Sequence, residues 1–317
     1  MIQWKVERLT LSRDVGSVST RATVLNEQRI NEDRTVYIEV SAENNSYMIA
    51  AVIDGAAPLH IESTSPKRLT PGALVAEIIE ETIIHGDPHS PLKEMLLEAN
   101  KRIRQISLQY GVDYAKPETI WAAAVSLIRL DSYGRLEYVH IADTVILVAR
   151  LENVFLLSRD QVEPFDREVL RAIQEARKNV TQHQDALRDQ VRSLMQEQKA
   201  KANSMDGLGY GAINGMADSQ VEQYLINGTR QIDQHVEFIA LLTDGMLPPS
   251  DAMGQQPDWL RIANILRQNG LVGLASHTRQ IERNDPLLEK PRVKLHDDAS
   301  GILIRIRHQK SSCRACR

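Results

Sequence analysis

Three apolar runs joined by two tight polar turns restrict what the middle of this chain can become. Residues 120–130 and 136–150 flank Asp131-Ser132-Tyr133-Gly134, and a third run, Val154 to Ser158, follows directly after Glu152-Asn153. Turn residues between β-branched and aliphatic runs are a hairpin signal. Connections this short pair strands antiparallel, because a parallel pair needs a crossover of a dozen residues or more. The centre of the chain is therefore expected to be antiparallel sheet.

Further strands are expected at Arg34 to Val40 and Tyr47 to Ile53, separated by Ala42-Glu43-Asn44-Asn45-Ser46, and later at Val236 to Thr243 and Ser300 to Ile306. Helical periodicity appears at residues 72–84, through Leu74, Val75, Ile78, Ile79 and Ile83, with Pro71 at a first-turn position. It recurs at residues 91–109, through Leu92, Met95, Leu96, Ala99, Ile103 and Ile106, and at Trp259 to Arg267. Strand groups alternating with helices predict an α+β fold, a four-layer α-β-β-α sandwich of two antiparallel sheets flanked by helix pairs. Residues 160–203 break the pattern. They are charged and Gln-rich, and a narrow apolar seam runs through Val162, Phe165, Val169, Ile173, Leu187, Val191 and Leu194. That stretch reads as a helical insertion, one long helix or a hairpin, packing one stripe on the body or pairing two copies as a homodimer. Residues 1–307 are read as a single domain carrying this insertion, and 308–317 as a basic, Cys-containing tail.

Several classes are disfavoured. A net charge of −4 argues against a nucleic-acid partner. No apolar run approaches the ~18 residues that span a bilayer, and the first ten residues lack the apolar core of a signal peptide, so a cytoplasmic protein is expected. The two cysteines, Cys313 and Cys316, both lie in the last five residues, which rules out a disulfide framework for the body. The glycines at 207, 209, 211 and 215 follow a helix rather than a strand, so they mark a loop and not a dinucleotide fingerprint.

The chemistry lies in acidic residues beside strand ends. Asn31-Glu32-Asp33 precedes one strand, Asp54-Gly55 ends the next, Asp244-Gly245 ends a late one and Asp297-Asp298 precedes the last. Each alone is a common turn. Carboxylates converging from several strands would repel one another unless cations neutralised them, and hard oxygen donors suit Mg²⁺ or Mn²⁺.

In order, Asn31-Glu32-Asp33-Arg34, Ile49-Ala50-Ala51-Val52-Ile53-Asp54-Gly55, Val139-His140-Ile141-Ala142-Asp143-Thr144, Ile239-Ala240-Leu241-Leu242-Thr243-Asp244-Gly245 and Asp297-Asp298-Ala299-Ser300 resemble the motifs of the PPM family, the metal-dependent protein phosphatases also called protein phosphatase 2C. The resemblance covers roughly residues 10–307. It implies a cytoplasmic signalling hydrolase acting on phosphoserine and phosphothreonine proteins, with two or three Mn²⁺ or Mg²⁺ ions and a hydroxide bridging two of them. Asp54 would bridge both metals, with the Gly55 carbonyl on one. Asp244 and Asp297 would bind the metal on the other side. Glu32 and Asp33 would hold metal-bound waters, Asp143 would serve a third metal, and Arg29 would clamp the phosphate. His60 and His140 are candidates for general acid. The chain departs from the family in having Ala56-Ala57-Pro58 in place of glycines, Ala142 in place of the Gly before Asp143, Ile120-Trp121-Ala122 at a strand start, and Arg29 one residue from the family's position. The competing expectation is a phosphatase fold without activity that binds partners through the helical insertion.

Overall fold

The computed structural model describes residues 1–12, 30–41, 45–58, 69–178, 184–292 and 294–308. Two five-stranded antiparallel sheets lie face to face. One holds β2 (Asp33–Val40), β3 (Tyr47–Ala56), β4 (Ala122–Asp131), β5 (Arg135–Ile141) and β8 (Ile226–Gln231), in that order. The other runs β1 (Ile2–Leu11), β10 (Ala299–His308), β9 (Val236–Leu242), β6 (Val145–Arg150) and β7 (Val154–Leu156).

Alternation along the strands builds three stacked cores. Met48, Ala50 and Val52 of β3 meet Ile239, Leu241, Ile302 and Ile304 between the sheets. The opposite face of β3, Ile49, Ala51 and Ile53, packs on α1 (Pro71–His85) and α2 (Leu92–Gln109). Beyond the other sheet, Leu147, Ala240, Leu242 and Leu303 pack on α6 (Trp259–Arg283). Burial on both faces is why these strands read as continuous apolar runs in the sequence. The result is the four-layer α-β-β-α sandwich, an α+β fold.

Local signals explain the helix starts. The Thr70 hydroxyl accepts from the Ala73 amide at 3.2 Å, with Pro71 in the first turn, so α1 begins there. Asp258 caps α6 in the same way through the Arg261 amide at 2.9 Å.

Four features differ from the sequence reading. The apolar run 136–150 is two strands in different sheets: β5 pairs with β4, whereas β6 pairs with β9 and β7. The chain crosses at Ala142, whose φ of 74° is left-handed, and the polar pair Asp143-Thr144 that follows does not by itself say that the strands part to different sheets. The helix read as ending at Arg267 continues to Arg283, with a break at Gly270 (φ 65°). There the Glu7 carboxylate accepts the Leu271 amide at 2.8 Å, in place of a lost intrahelical carbonyl. The break makes α6 two helical segments in series, the pair expected for this layer. Strands β1 and β8 were not anticipated: β1 interleaves charges with apolar residues, and β8 is a polar edge. The insertion contributes α3 (Glu163–Lys178) and α4 (Gln184–Lys199), which pack on each other as a helical hairpin. Among the described residues, no helix is long and apolar enough to cross a membrane.

Candidate metal centre

The acidic residues gather where strand ends of both sheets meet. Asp33 begins β2 and lies directly opposite Asp54 of β3 in the antiparallel ladder. Asp244 follows β9, Asp297 and Asp298 precede β10, and Asp143 occupies the crossover from β5 to β6. Adjacent antiparallel strands carry their side chains about 5 Å apart, so Asp33 and Asp54 are held close by the backbone itself.

A hydrogen-bond chain ties the two sheets together at this edge. The Thr243 hydroxyl donates to Asp33 Oδ2 at 2.8 Å and accepts the Ser300 amide at 2.9 Å. The Glu32 amide donates to Asp298 Oδ2 at 2.9 Å. Asp298 therefore fixes the segment that presents Glu32 and Asp33, a positioning function that the sequence reading did not give it. Close backbone approach completes the frame. A Cβ on Gly55 would meet the Gly72 carbonyl oxygen at 2.2 Å, so only glycine lets the start of α1 sit against the end of β3. Behind Asp297, the buried Arg279 donates to its carbonyl and bonds Glu282 at 2.8 Å, and Glu282 in turn bonds His296 Nδ1 at 2.7 Å.

Electrostatics follow from this crowding. Burial pushes Asp33, Asp54 and Asp143 well above the usual carboxylate range, and neighbouring carboxylates add to the rise. Asp244 faces the cleft with its surface yet is walled in by protein. Burial and the charge of Asp297 raise it to about 6, while its interactions with Asp54 and Lys294 oppose the rise. Asp166, from α3, is driven to about 7 by burial and by the charges of Asp244 and Asp160. Lys294 donates to both oxygens of Asp297, at 2.9 and 2.8 Å. Burial works against its charge, but Asp297, Asp244 and Asp54 outweigh it and raise the ammonium above its usual value.

The carboxylates floor a cleft of about 740 Å³. Glu32, Asp54, Asp143, Asp244 and Asp297 line it, whereas Asp33 lies beneath, 1% exposed. Phe165, Val169 and Leu170 of α3 and Met195 and Lys199 of α4 form one wall. Of the insertion's apolar seam, Val162, Phe165 and Val169 thus line the cleft.

No protein-family model matches this sequence, and no curated protein does. Solved structures do. A bacterial serine phosphatase aligns with 97% of this chain and 100% of its own, at TM-score 0.54 and 9% identity. The S. agalactiae serine/threonine phosphatase aligns over 96% and 99%, at TM-score 0.53 and 13% identity. The catalytic domain of the serine threonine protein phosphatase PstP, in complex with two manganese ions, aligns over 96% and 99%, at TM-score 0.50 and 14% identity. The chain has the PPM phosphatase fold. Identity this low carries the fold and no more.

On that PPM scaffold, the sequence-derived residues divide into three groups. Glu32, Asp33, Asp54, Gly55, Asp244 and Asp297 lie together at the strand ends, with Asp143 adjoining them through its interactions with Asp54 and Asp244. Arg29, His60, Cys313 and Cys316 lie outside the described residues. His140 is a core residue and does not line the cleft: Nε2 sits 2.9 Å from the Arg159 carbonyl, Nδ1 3.2 Å from Ser126 Oγ, and burial lowers it to about 4. A fully buried, fully bonded imidazole has no route to a leaving group, which removes it as general acid. Asp160, Asp166, Lys199 and Lys294 escaped the sequence reading because the helical insertion and the loop before β10 match no motif.

The donors fit a hard divalent cation. They are all oxygen, and their mutual repulsion is the kind that a dication relieves. Among the described residues no group of three such side chains is close enough to form a ready cage. Mg²⁺ does not require one, since it commonly keeps several waters and takes one or two carboxylates.

Proposed function

We propose that this chain is a metal-dependent phosphoserine/phosphothreonine protein phosphatase. The observation that carries this reading is the gathering of carboxylates at the strand ends of both sheets: Asp54 lies directly across the ladder from Asp33, and Asp54, Asp244 and Asp297 line one cleft. Asp54 with the Gly55 carbonyl, Asp244 and Asp297 would hold two Mn²⁺ or Mg²⁺ ions, Glu32 and Asp33 would hold their waters, and Asp143 would serve a third. Bound dications supply acidification of water and neutralisation of phosphoryl charge. The chain's own residues do the rest. Thr243 keeps Asp33 oriented, Asp298 holds the Glu32 backbone, and Gly55 brings α1 against the metal-facing strand end. Apolar side chains of α3 shield one wall of the cleft from bulk water, which strengthens electrostatic contacts inside it.

The test is hydrolysis of p-nitrophenyl phosphate by purified protein with Mn²⁺. Turnover should be metal-dependent and lost in Asp54→Asn and in Asp244→Asn. A second reading, a PPM fold that binds partners without turnover, draws support from Lys294, whose ammonium occupies both oxygens of Asp297. Absence of both turnover and Mn²⁺ binding by calorimetry would favour that second reading.

A further inference from the structure

Three cationic side chains line the cleft among the described residues: Lys199, Arg292 and Lys294. Two are committed. Arg292 pairs with the Asp285 carboxylate and donates to the Asp285 and Glu282 carbonyls. Lys294 holds Asp297. Lys199 differs. Its ammonium donates to the Ala57 carbonyl at 3.2 Å, and among the described residues no carboxylate lies within salt-bridge distance of it. An ammonium has three donors, so two have no partner among the described residues.

Its placement gives those donors a use. Lys199 ends α4, and Ala57 lies just beyond the Asp54-Gly55 strand end, so the contact brings the insertion to the edge of the acidic floor. The helical wall beside it is mainly apolar, with Phe165, Val169, Leu170 and Met195. Burial lowers Lys199 to about 8, against the pull of Glu32. A half-buried cation with spare donors, beside a floor suited to dications, is the arrangement a phosphoryl group requires.

We infer that Lys199 is a substrate-binding residue that donates to a phosphoryl oxygen of the phosphosubstrate, a contact supplied by the helical insertion. This rests on the phosphatase reading. The test uses inorganic phosphate as probe, titrated calorimetrically into the Mn²⁺-loaded full-length chain. Lys199→Met should weaken phosphate about tenfold or more, as expected for loss of a charge-assisted bond, with Mn²⁺ affinity unchanged. Lys199→Gln, which keeps a donor for Ala57 but no charge, should behave likewise, and Lys199→Arg should retain most of the affinity. Phosphate affinity within twofold of wild type in both neutral variants would overturn the inference. So would a wild type that takes Mn²⁺ but no phosphate, or neutral variants that lose Mn²⁺ and phosphate together. If phosphate binding depends on Lys199 but p-nitrophenyl phosphate is not hydrolysed, the phosphatase reading fails and Lys199 stands as a phosphate-binding residue only. If hydrolysis occurs and the neutral variants bind phosphate normally, the reverse holds.

Discussion

Asp33 and Asp54 face each other across the β2–β3 ladder, and the Thr243 hydroxyl bonds the first while the second lines the cleft beside Asp244. Two carboxylates in register on adjacent strands, both raised in pKa by burial, oppose folding until something neutralises them. Asp54→Asn removes one of the two charges at constant shape. In metal-free protein near neutral pH it should raise stability by about 1–2 kcal/mol, read as a higher urea midpoint. The same variant should lose most of the stabilisation that Mn²⁺ gives the wild type. A metal-free midpoint lower than wild type would mean that Asp54 serves the fold rather than a cation.

The same groups set a pH dependence. Asp33, Asp54, Asp143, Asp244 and Asp166 have folded pKa values above their unfolded ones, with Asp244 at about 6 and Asp166 at about 7. Between pH 4 and pH 7 the folded state therefore holds more protons at these sites than the unfolded chain, so stability falls as pH rises. His140, lowered to about 4, works the other way: the unfolded imidazole binds the extra proton, and its contribution to stability grows with pH up to about 6.5. Several carboxyls outweigh one imidazole. The metal-free melting temperature should drop from pH 5 to pH 7, and saturating Mn²⁺ should flatten or invert that slope. Thermal scans at fixed ionic strength, with and without metal, decide it.

Ala142 supplies a test of backbone strain. Its φ of 74° places an alanine where glycine is comfortable. The position is pinned from both sides, since its amide donates to Gln161 Oε1 at 3.2 Å and its carbonyl accepts the Gln161 amide at 3.0 Å. Ala142→Gly should stabilise the protein by about 1 kcal/mol, raising the denaturant midpoint without changing the slope. An unchanged or lowered midpoint would mean that the methyl group's burial offsets the strain.

What the sequence disclosed follows from which physics is local. The apolar runs and the turns at 131–134 and 152–153 specified antiparallel strands, because alternation and turn chemistry act over a few residues. The Asp-Gly ends of β3 and β9 pointed to one acidic centre because strand ends are where carboxylates reach solvent from a rigid element. What stayed hidden was long-range. The only local mark of the sheet-to-sheet crossover is the polar pair Asp143-Thr144, and nothing in it says that the two runs join different sheets. The helical reading stopped at Arg267, and beyond the break at Gly270 the Glu7 carboxylate, arriving from β1, accepts the first amide of the segment that follows. Lys199 and Lys294 meet the centre through tertiary packing alone.

Lys294 is the group against which a cation must compete. Its ammonium donates to both oxygens of Asp297 and is stabilised further by Asp244 and Asp54. A dication taking Asp297 must displace it. The pair is half exposed, so its strength is that of a partly screened ion pair, on the order of 1 kcal/mol. Lys294→Met leaves Asp297 uncompensated and adds to the net negative potential of the floor. Calorimetry should then record Mn²⁺ binding several-fold tighter than in the wild type, with the difference shrinking at high salt as screening weakens the pair. Weaker Mn²⁺ binding in this variant would instead make Lys294 a support that holds the 294–297 segment in shape for the cation.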